Sequence, residues 1–421
     1  MKVDYESQKL QQLPNIWPSA KILEERYAKI RSFLDTNELG ALIAYSPPVA
    51  NMWGQTGHVS YLSGWGDLGR TVDSAVVVPL EGPPALLYAG MPFMEEAIAD
   101  VSPIKDVRLV QAVDPNAVAV ARPTGNEVNQ GPHSFAVNTR AILQERGLFR
   151  KDIGVVGINN MSLPFFEALS QELGDNLHRV DDIIAELRSV KTPDELELMK
   201  HAAHLGDLGF EAMLQTTRPG MRGIEIIAEM ERAARREGAD HAKFWMASGP
   251  PTTWEDSKMD LKPHQRVLQD GDLMQVCSYI VYKGYWSHGQ RTGTLGKSSA
   301  YLEEISTIAR NAQDAGIAAM RPNISAGSIA TAVREKVAQS GWSLEGGRVG
   351  HGCGLDYSEI PIPSEGTKDL LKIGNTIILH SAFSLPVSGK LFVPLGDQLH
   401  LTVDGPEFLM KFPRTLFLAG S

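Results

Sequence analysis

The stretch GYWSHGQRTGTLG, residues 284–296, has the pattern of a strand that presents reactive side chains on one face. Side chains two positions apart in a strand share a face. Four residues are expected on the face of the histidine: Trp286, His288, Gln290 and Thr292. An imidazole can act as acid, base or metal ligand near neutral pH. The pattern therefore predicts a titratable group beside an aromatic ring and hydrogen-bonding side chains.

Two other segments show the same alternation. In the first, residues 272–282, one face is predicted to carry Gln275, Cys277 and Tyr279. In the second, residues 396–402, one face is predicted to carry Gly396, Gln398 and His400. We expect His400 to be able to add a nitrogen to a site formed with the first stretch, and Gly396 to leave room for a ligand.

Two common catalytic signatures are missing from the sequence. It has no Gly-x-Ser-x-Gly elbow, which gives no support to a serine hydrolase. The glycine-rich run GHGCGLD lacks a following Lys-Ser/Thr, so it is not a phosphate-binding loop.

Composition limits the class of protein. The chain has 421 residues and a formal net charge of -10, without a basic run that could displace the counterions of nucleic acid or an anionic membrane. It shows neither an apolar run of about 18 residues nor an amino-terminal secretory pattern. Its two cysteines are too few for a disulfide framework. We therefore expect a cytoplasmic protein that binds neither nucleic acid nor membrane.

The arrangement of elements predicts two domains. Residues 1–185 alternate helical patterns with short apolar strands, as in an α/β layer. A long amphipathic helix then follows, with Thr192 as its N-cap and Pro193 at its first position, and opens a second domain over 186–421. Similar Arg-Pro, loop and helix segments begin at Arg218 and Arg321, which predicts two pseudo-symmetric halves with a site between them.

Six motifs resemble, in order and spacing, those of a known family. They are LRSVKTPDELELMKHAA, TTRPGMRG, MASGPPTTW, DGDLMQV, GHGCGLDYSE and VDGPEFL. Together they resemble the creatinase, aminopeptidase P and methionine aminopeptidase group over nearly the whole chain. The resemblance implies an α+β fold, in which a smaller α/β creatinase-like N-terminal domain precedes a pita-bread catalytic domain. It also implies a homodimer.

The resemblance further implies a metal site with altered ligands. Metallopeptidases of this group hold two divalent ions with two Asp, one His and two Glu, and the ions activate water. The corresponding positions of this chain carry Cys277, His288, His351, His380 and Gly396. Because no carboxylate remains, we expect no standard dinuclear site. Three imidazoles around one ion position predict instead a mononuclear site for zinc, iron or manganese, with His288, His351 and His380 as ligands.

Creatinase provides a second comparison, because it works without metal on this fold. Its proton-shuttling histidine corresponds to Asp260, and its two substrate-binding glutamates correspond to Gln290 and His380, so creatine is not the expected substrate. Its carboxylate-binding Gly-Arg is retained as Gly69 and Arg70. The predicted catalytic residues are Asp260, His351 and His380. The predicted substrate-binding residues are Arg70, Trp286 and Gln290.

The resulting functional hypothesis is a hydrolase of a C–N bond in a small, non-peptide, carboxylate-bearing substrate. The alternatives are a metal-free hydrolase that uses the same imidazoles, a lyase or oxygenase on the same fold, and a non-catalytic binding module. A substrate left unchanged after long incubation would indicate the last of these. The sequence leaves open the roles of Cys277, Glu255 and His400.

Overall fold

The protein is described from a computed structural model, which covers residues 17–47, 56–66, 72–90, 93–110, 130–174, 176–249, 265–384, 391–392 and 395–420. Internal contacts divide the described chain into two units, with the division between Arg188 and Ser189. None of the helices in these segments combines the length and the apolar character needed to cross a lipid bilayer.

The first unit is an α/β layer. Its elements are α1 (Ala20–Thr36), β1 (Leu39–Ser46), α2 (His58–Ser63), β2 (Ser74–Pro79), β3 (Ala85–Ala89), α3 (Met94–Val101), β4 (Asp106–Val110), α4 (Gln130–Glu145), β5 (Asp152–Val156), α5 (Leu163–Leu173), β6 (Leu177–Arg179) and α6 (Asp181–Ser189). The sheet has the strand order β4-β3-β2-β1-β5-β6. Its central strands are buried apolar runs, which is the pattern of strands covered on both faces.

The second unit combines helices with a larger, mostly antiparallel sheet. Its elements are α7 (Pro193–Thr216), α8 (Gly223–Arg236), β7 (His241–Gly249), β8 (Leu273–Tyr282), β9 (Tyr285–Leu295), α9 (Ala300–Ala319), α10 (Gly327–Ala338), β10 (Ser343–Leu344), β11 (Gly350–Gly352), β12 (Thr376–His380), β13 (Phe383–Ser384), β14 (Leu391–Phe392), β15 (Gly396–Thr402), β16 (Gly405–Phe408) and β17 (Phe417–Ala419). The main sheet has the order β11-β12-β15-β9-β8-β7.

The long helix α7 begins as the sequence predicts. The Thr192 side chain accepts a hydrogen bond from the backbone N–H of Glu195, and the Glu195 carboxylate accepts one from the backbone N–H of Thr192. Pro193 occupies the first turn, where a helix needs no N–H donor from it. This capping box satisfies two backbone donors that the first turn leaves unpaired.

The two similar sequence segments form corresponding helices. The segment after Arg218 forms α8, which packs on α7, and the segment after Arg321 forms α10, which packs on α9. The second pair buries its apolar side against the sheet in a core that includes Ile329, Val333, Ile377 and Leu399. The strands β8 and β9 therefore belong to one half of the sheet, and β11 and β12 belong to the other.

Candidate active site

The register of β8 and β9 places four of the predicted residues side by side. Cys277 pairs with Gln290, and Tyr279 pairs with His288. Directly paired residues in an antiparallel sheet point to the same face. The predicted alternation along these two strands is thus confirmed.

The other half of the sheet brings a second histidine to this face through a glycine. Gly396 on β15 pairs with His380 on one side and with Gln290 on the other. A Cβ atom at Gly396 would lie 3.0 Å from Cβ of Gln290 and 3.2 Å from Cβ of His380. The glycine thus permits close approach of neighbouring strands, and the expectation that it also leaves room for a ligand stays a prediction.

The imidazoles of His288, His351 and His380 form one cluster. The ring centroids of His288 and His380 are 5.4 Å apart, and those of His351 and His380 are 5.2 Å apart, with the planes at 79° in both pairs. His351 lies on the edge strand β11, which pairs with β12. Tertiary structure thus brings together three rings that the chain carries on three separate strands.

Backbone carbonyls fix the orientation of two of these rings. Nδ1 of His288 lies 2.7 Å from the carbonyl oxygen of Ser278, and Nδ1 of His351 lies 2.8 Å from the carbonyl oxygen of Gly352. A carbonyl only accepts, so each Nδ1 carries the proton and each neutral ring has its lone pair on Nε2. Nε2 of His351 and of His380 is buried and has no hydrogen-bond partner among the described residues.

Burial keeps all three imidazoles neutral at physiological pH. Burial lowers the pKa of His288 to about 4, although the hydrogen bond to the Ser278 carbonyl acts in the opposite direction and raises it. It lowers the pKa of His351 to about 3, helped by the charges of Arg348 and His288. Burial also holds the pKa of His380 well below its ordinary value, with further repulsion from the other two rings. Neutral imidazoles with free lone pairs can accept protons or ligate cations.

Aromatic side chains surround the histidines. The ring of Tyr279 lies 4.5 Å from that of His288, and the ring of Tyr357 lies 4.6 Å from that of His351. Trp245 packs against Tyr279, and Trp286 meets Tyr357 edge-on at 5.9 Å. These contacts desolvate the imidazoles, and burial is the first cause of their lowered pKa values.

The dinuclear metal centre of the family does not fit these residues. Cys277 stands where the family has a carboxylate; it is fully buried, and burial raises the pKa of its free thiol to about 12, so the thiol is neutral at physiological pH. Gly396 has no side chain to offer. The carboxylate of Asp397, beside it, is already bound by Arg291 and Arg414. Within the described segments, no group of three or more His, Cys, Asp or Glu side chains is placed to hold a metal ion.

Several predicted residues lie elsewhere or outside the described segments. His400 is half-buried and pairs with Thr376, four residues along β12 from His380, so it does not join the cluster. Gln290 is buried between Cys277 and Gly396, inside the cluster. The remaining candidates lie outside the described residues: Gly69, Arg70, Glu255 and Asp260.

Sequence reasoning missed Tyr357 and the carbonyl groups that orient the rings. Tyr357 contacts His351 and, at 5.4 Å, His288. Its position six residues after His351, in the motif GHGCGLDYSE, was the available signal. The carbonyls of Ser278 and Gly352 left no signal, because every residue has one.

Each of the two units matches a different family model. Residues 26–190 match the family model described as the creatinase/prolidase N-terminal domain. Residues 197–401 match the model of metallopeptidase family M24. The two matches together span most of the chain.

Similar proteins carry peptidase names. The Xaa-Pro dipeptidase of Pyrococcus furiosus is 27% identical over 243 residues, which cover 56% of this chain and 68% of that protein. An uncharacterized peptidase of Bacillus subtilis is 27% identical over 268 residues, 62% of this chain and 73% of that protein. The crystal structure of an X-Pro aminopeptidase from Thermotoga maritima shares the fold, with a TM-score of 0.74 and 20% identity over 94% of this chain and 99% of that one.

These findings define a hydrolase of two-domain architecture, with a creatinase-type N-terminal domain and a catalytic domain of the pita-bread fold. The chain belongs to the creatinase and aminopeptidase P family. The family and the fold class expected from the six motifs are confirmed. Peptidases of family M24 normally use divalent metals.

The predicted function needs correction. The sequence favoured a non-peptide substrate and a rebuilt histidine site in place of a peptidase site. Relatives with a described activity include Xaa-Pro dipeptidases, and the structural neighbours include prolidases, which point to a peptide hydrolase instead. The prediction of a non-peptide hydrolase was therefore wrong.

Proposed function

We propose that this protein hydrolyses the amide bond of a small peptide, with the cluster of His288, His351 and His380 as its reaction site. The observation that carries the proposal is the pair of buried Nε2 atoms of His351 and His380, which have no partner among the described residues. The names of the relatives support a dipeptide as the class of substrate. Imidazole is the side chain that most often serves as a general base, and bound substrate would have to raise the pKa of His351 from about 3 towards the working pH.

The chemistry follows from the orientation of the rings. In the proposed reaction, Nε2 of His351 or His380 accepts a proton from water as the water oxygen attacks the carbonyl carbon. The C–N bond then breaks, and the imidazolium returns the proton to the leaving amine nitrogen. The Gly352 carbonyl holds the His351 ring by Nδ1, so Nε2 is the atom that moves the proton.

Other predicted residues take supporting roles in this proposal. Trp286 and Gln290 contact the substrate, Arg70 binds its carboxylate, and Asp260 assists proton transfer. Support for Gln290 comes from its burial beside Gly396, and support for Trp286 comes from its contact with Tyr357. Arg70 and Asp260 rest on the family resemblance, because neither lies in a described segment.

The ligand set His288, His351 and His380 for a single divalent ion is kept as a proposal. Nδ1 bonds to backbone carbonyls are the usual outer contacts of metal-ligating histidines, and two such bonds occur here. Ion binding would have to draw the three Nε2 atoms closer together, since the described residues hold no group of three already placed for an ion. A bound ion would lower the pKa of a coordinated water towards about 7. The cytoplasmic location and the homodimer also remain proposals.

A panel of dipeptides tests the proposed function. Purified protein is incubated with Xaa-Pro and Xaa-Ala dipeptides, with and without added divalent ions, and the free amino acids are counted by mass spectrometry. We expect cleavage of at least one class. His351→Asn and His380→Asn should lower kcat/KM by about 100-fold or more, whereas His400→Asn, outside the cluster, should keep it within about twofold. Absence of cleavage under every condition would refute a peptide hydrolase.

A further inference from the structure

His288 and His380 lie on two parts of the main sheet, and these parts are joined where β9 pairs with β15. We call this place the junction. Strands β8 and β9 pair along their full length, and β12 and β15 pair from Thr376 to His380. In contrast, the described parts of β9 and β15 share a single pair, Gln290 with Gly396. His288 lies on one side of this junction and His380 on the other. Backbone pairing alone therefore gives weak control of the distance between the two rings.

One buried side chain spans this junction. The guanidinium of Arg291 donates from one terminal nitrogen to the carbonyl oxygens of Gln290, at 2.9 Å, and of Gly396, at 2.7 Å. Its other terminal nitrogen donates to the Asp397 carboxylate at 2.7 Å and to the carbonyl oxygen of Phe412 at 2.9 Å. Arg291 thus ties β9 to β15 and to the segment that follows β16.

Arg291 does this without facing the reaction site. It is next to Gln290 in the strand, so the two side chains point to opposite faces of the sheet. Its guanidinium lies 6.0 Å from the ring of Phe210 on α7, on the helix-covered face. The side chain is 1% exposed, as expected for a group enclosed between sheet and helix. Any influence on the reaction must therefore pass through the strands that it holds.

The Asp397 carboxylate, which binds Arg291, also binds Arg414. Arg414 therefore serves as the control residue for Arg291. Asp397 also accepts a hydrogen bond from Nε of Arg414 at 3.0 Å. Arg414 is partly exposed and also pairs with Asp314 on α9. Within the described segments, Arg414 makes no hydrogen bond to the carbonyl oxygen of Gln290 or Gly396, whereas Arg291 bonds to both. Only Arg291 combines the charge pair with bonds across the junction itself.

We propose that Arg291 is a positioning residue that sets the distance between His288 and His380 by clamping the backbone of Gln290 to that of Gly396. The expected effect of Arg291 on kcat rests on the proposed function. The expected effect on the distance between His288 and His380 rests on geometry alone. A planar guanidinium is needed because it reaches several acceptors at once, which a lysine ammonium on a flexible chain cannot reproduce.

The first test compares Arg291→Lys with Arg414→Lys in the full chain. Both keep a positive charge beside Asp397, and both are expected to lower the melting temperature. Arg291→Lys should lower kcat by about 10- to 100-fold with KM within about twofold, since a misplacement of about 1 Å can cost about 100-fold. Arg414→Lys should leave kcat within about twofold. A parallel fall of kcat in both variants would reduce Arg291 to a stabilising residue and overturn the proposal.

A second readout does not depend on activity. Crystal structures of the wild type and of Arg291→Lys measure the distance between the ring centroids of His288 and His380, which is 5.4 Å here. We expect this distance to differ between the two proteins by about 0.5 Å or more. An unchanged separation refutes the clamp. If the wild type cleaves no peptide, the proposed function fails, but this measurement still decides the role of Arg291.

A third variant covers the case in which Arg291→Lys does not fold. Arg291→Met combined with Asp397→Leu removes both charges together, which a buried pair tolerates better than the loss of one partner. We expect this double variant to fold, to lose kcat to a similar extent and to show the altered ring separation. Wild-type kcat and ring separation in the folded double variant would overturn the proposal.

Discussion

The rings of His351 and His380 lie 5.2 Å apart with their planes at 79°, and both have a buried Nε2 atom without a partner among the described residues. A buried nitrogen lone pair left without a hydrogen bond is costly to the folded protein. Buried polar atoms of this kind are satisfied by water, by a ligand or by a reacting group, and here two of them belong to neighbouring rings of the catalytic unit.

Acid should destabilise the protein through these rings. The pKa of His288 is lowered to about 4 and that of His351 to about 3, whereas an unfolded histidine titrates near 6.5. Between these values the unfolded chain binds more protons, so the free energy of unfolding falls as the pH drops below about 6.5. Each ring contributes at most about 1.4 kcal/mol per pH unit.

Urea unfolding at pH 7.5, 6 and 5 measures this dependence. His288→Gln removes one titrating ring, so its stability should fall less steeply with acid than that of the wild type. Equal slopes in His288→Gln and the wild type would contradict the lowered pKa.

Elemental analysis addresses the proposed metal ligands. If His288, His351 and His380 hold an ion, purified wild type carries about one transition metal per chain and His380→Ala carries none, since loss of one of three ligands greatly weakens a mononuclear site. His400→Ala should keep the wild-type content. Comparable metal in the wild type and in His380→Ala would exclude this ligand set.

The glycine at 396 should resist even a small substitution. Gly396→Ala adds a Cβ atom 3.0 Å from Cβ of Gln290 and 3.2 Å from Cβ of His380, so the strands must separate. We expect a loss of about 1–3 kcal/mol in unfolding free energy, as for other overpacked sites, and a lower kcat. In Gly206→Ala, the matched control on α7, the added atom finds its nearest neighbours at an ordinary 3.5 Å. Equal stability of the two variants would be inconsistent with this close approach.

The buried ion pair of Lys191 and Glu359 should stabilise the segment that follows His351. Lys191 binds the Glu359 carboxylate at 2.9 Å, with the two side chains 1% and 6% exposed. Glu359 also accepts from the backbone N–H of Asp356, and its own N–H bonds to Gly352. Lys191→Met leaves a carboxylate buried without its cation and should cost about 3–5 kcal/mol.

The control for this prediction is an exposed pair on the same unit. Lys200 pairs with Glu197 at the surface, so Lys200→Met should cost less than about 1 kcal/mol. Chemical denaturation of both variants gives the comparison. Similar small losses in the two would mean that the buried pair contributes no more than a surface one.

The sequence by itself determined the local structure and the class of fold. Thr192 and Pro193 predicted the start of α7, because a helix terminus requires particular donors and acceptors. Alternation along β8 and β9 predicted that Cys277, Gln290 and His288 share a face, because strand geometry has a period of two. The six ordered motifs predicted the family. They did not predict the class of substrate, since one fold serves several reactions.

Tertiary structure decided which atoms meet. The packing of β11, β12, β15 and β9 places His351, His380 and His288 against each other. In His288 and His351 it also keeps the proton on Nδ1, through a bond to a backbone carbonyl. The clamp of Arg291 on Gly396 joins residues distant in sequence, and no local pattern encodes such a contact. Burial, which shifts the pKa of each ring, is likewise a property of the packed whole, because desolvation depends on neighbours from every part of the chain.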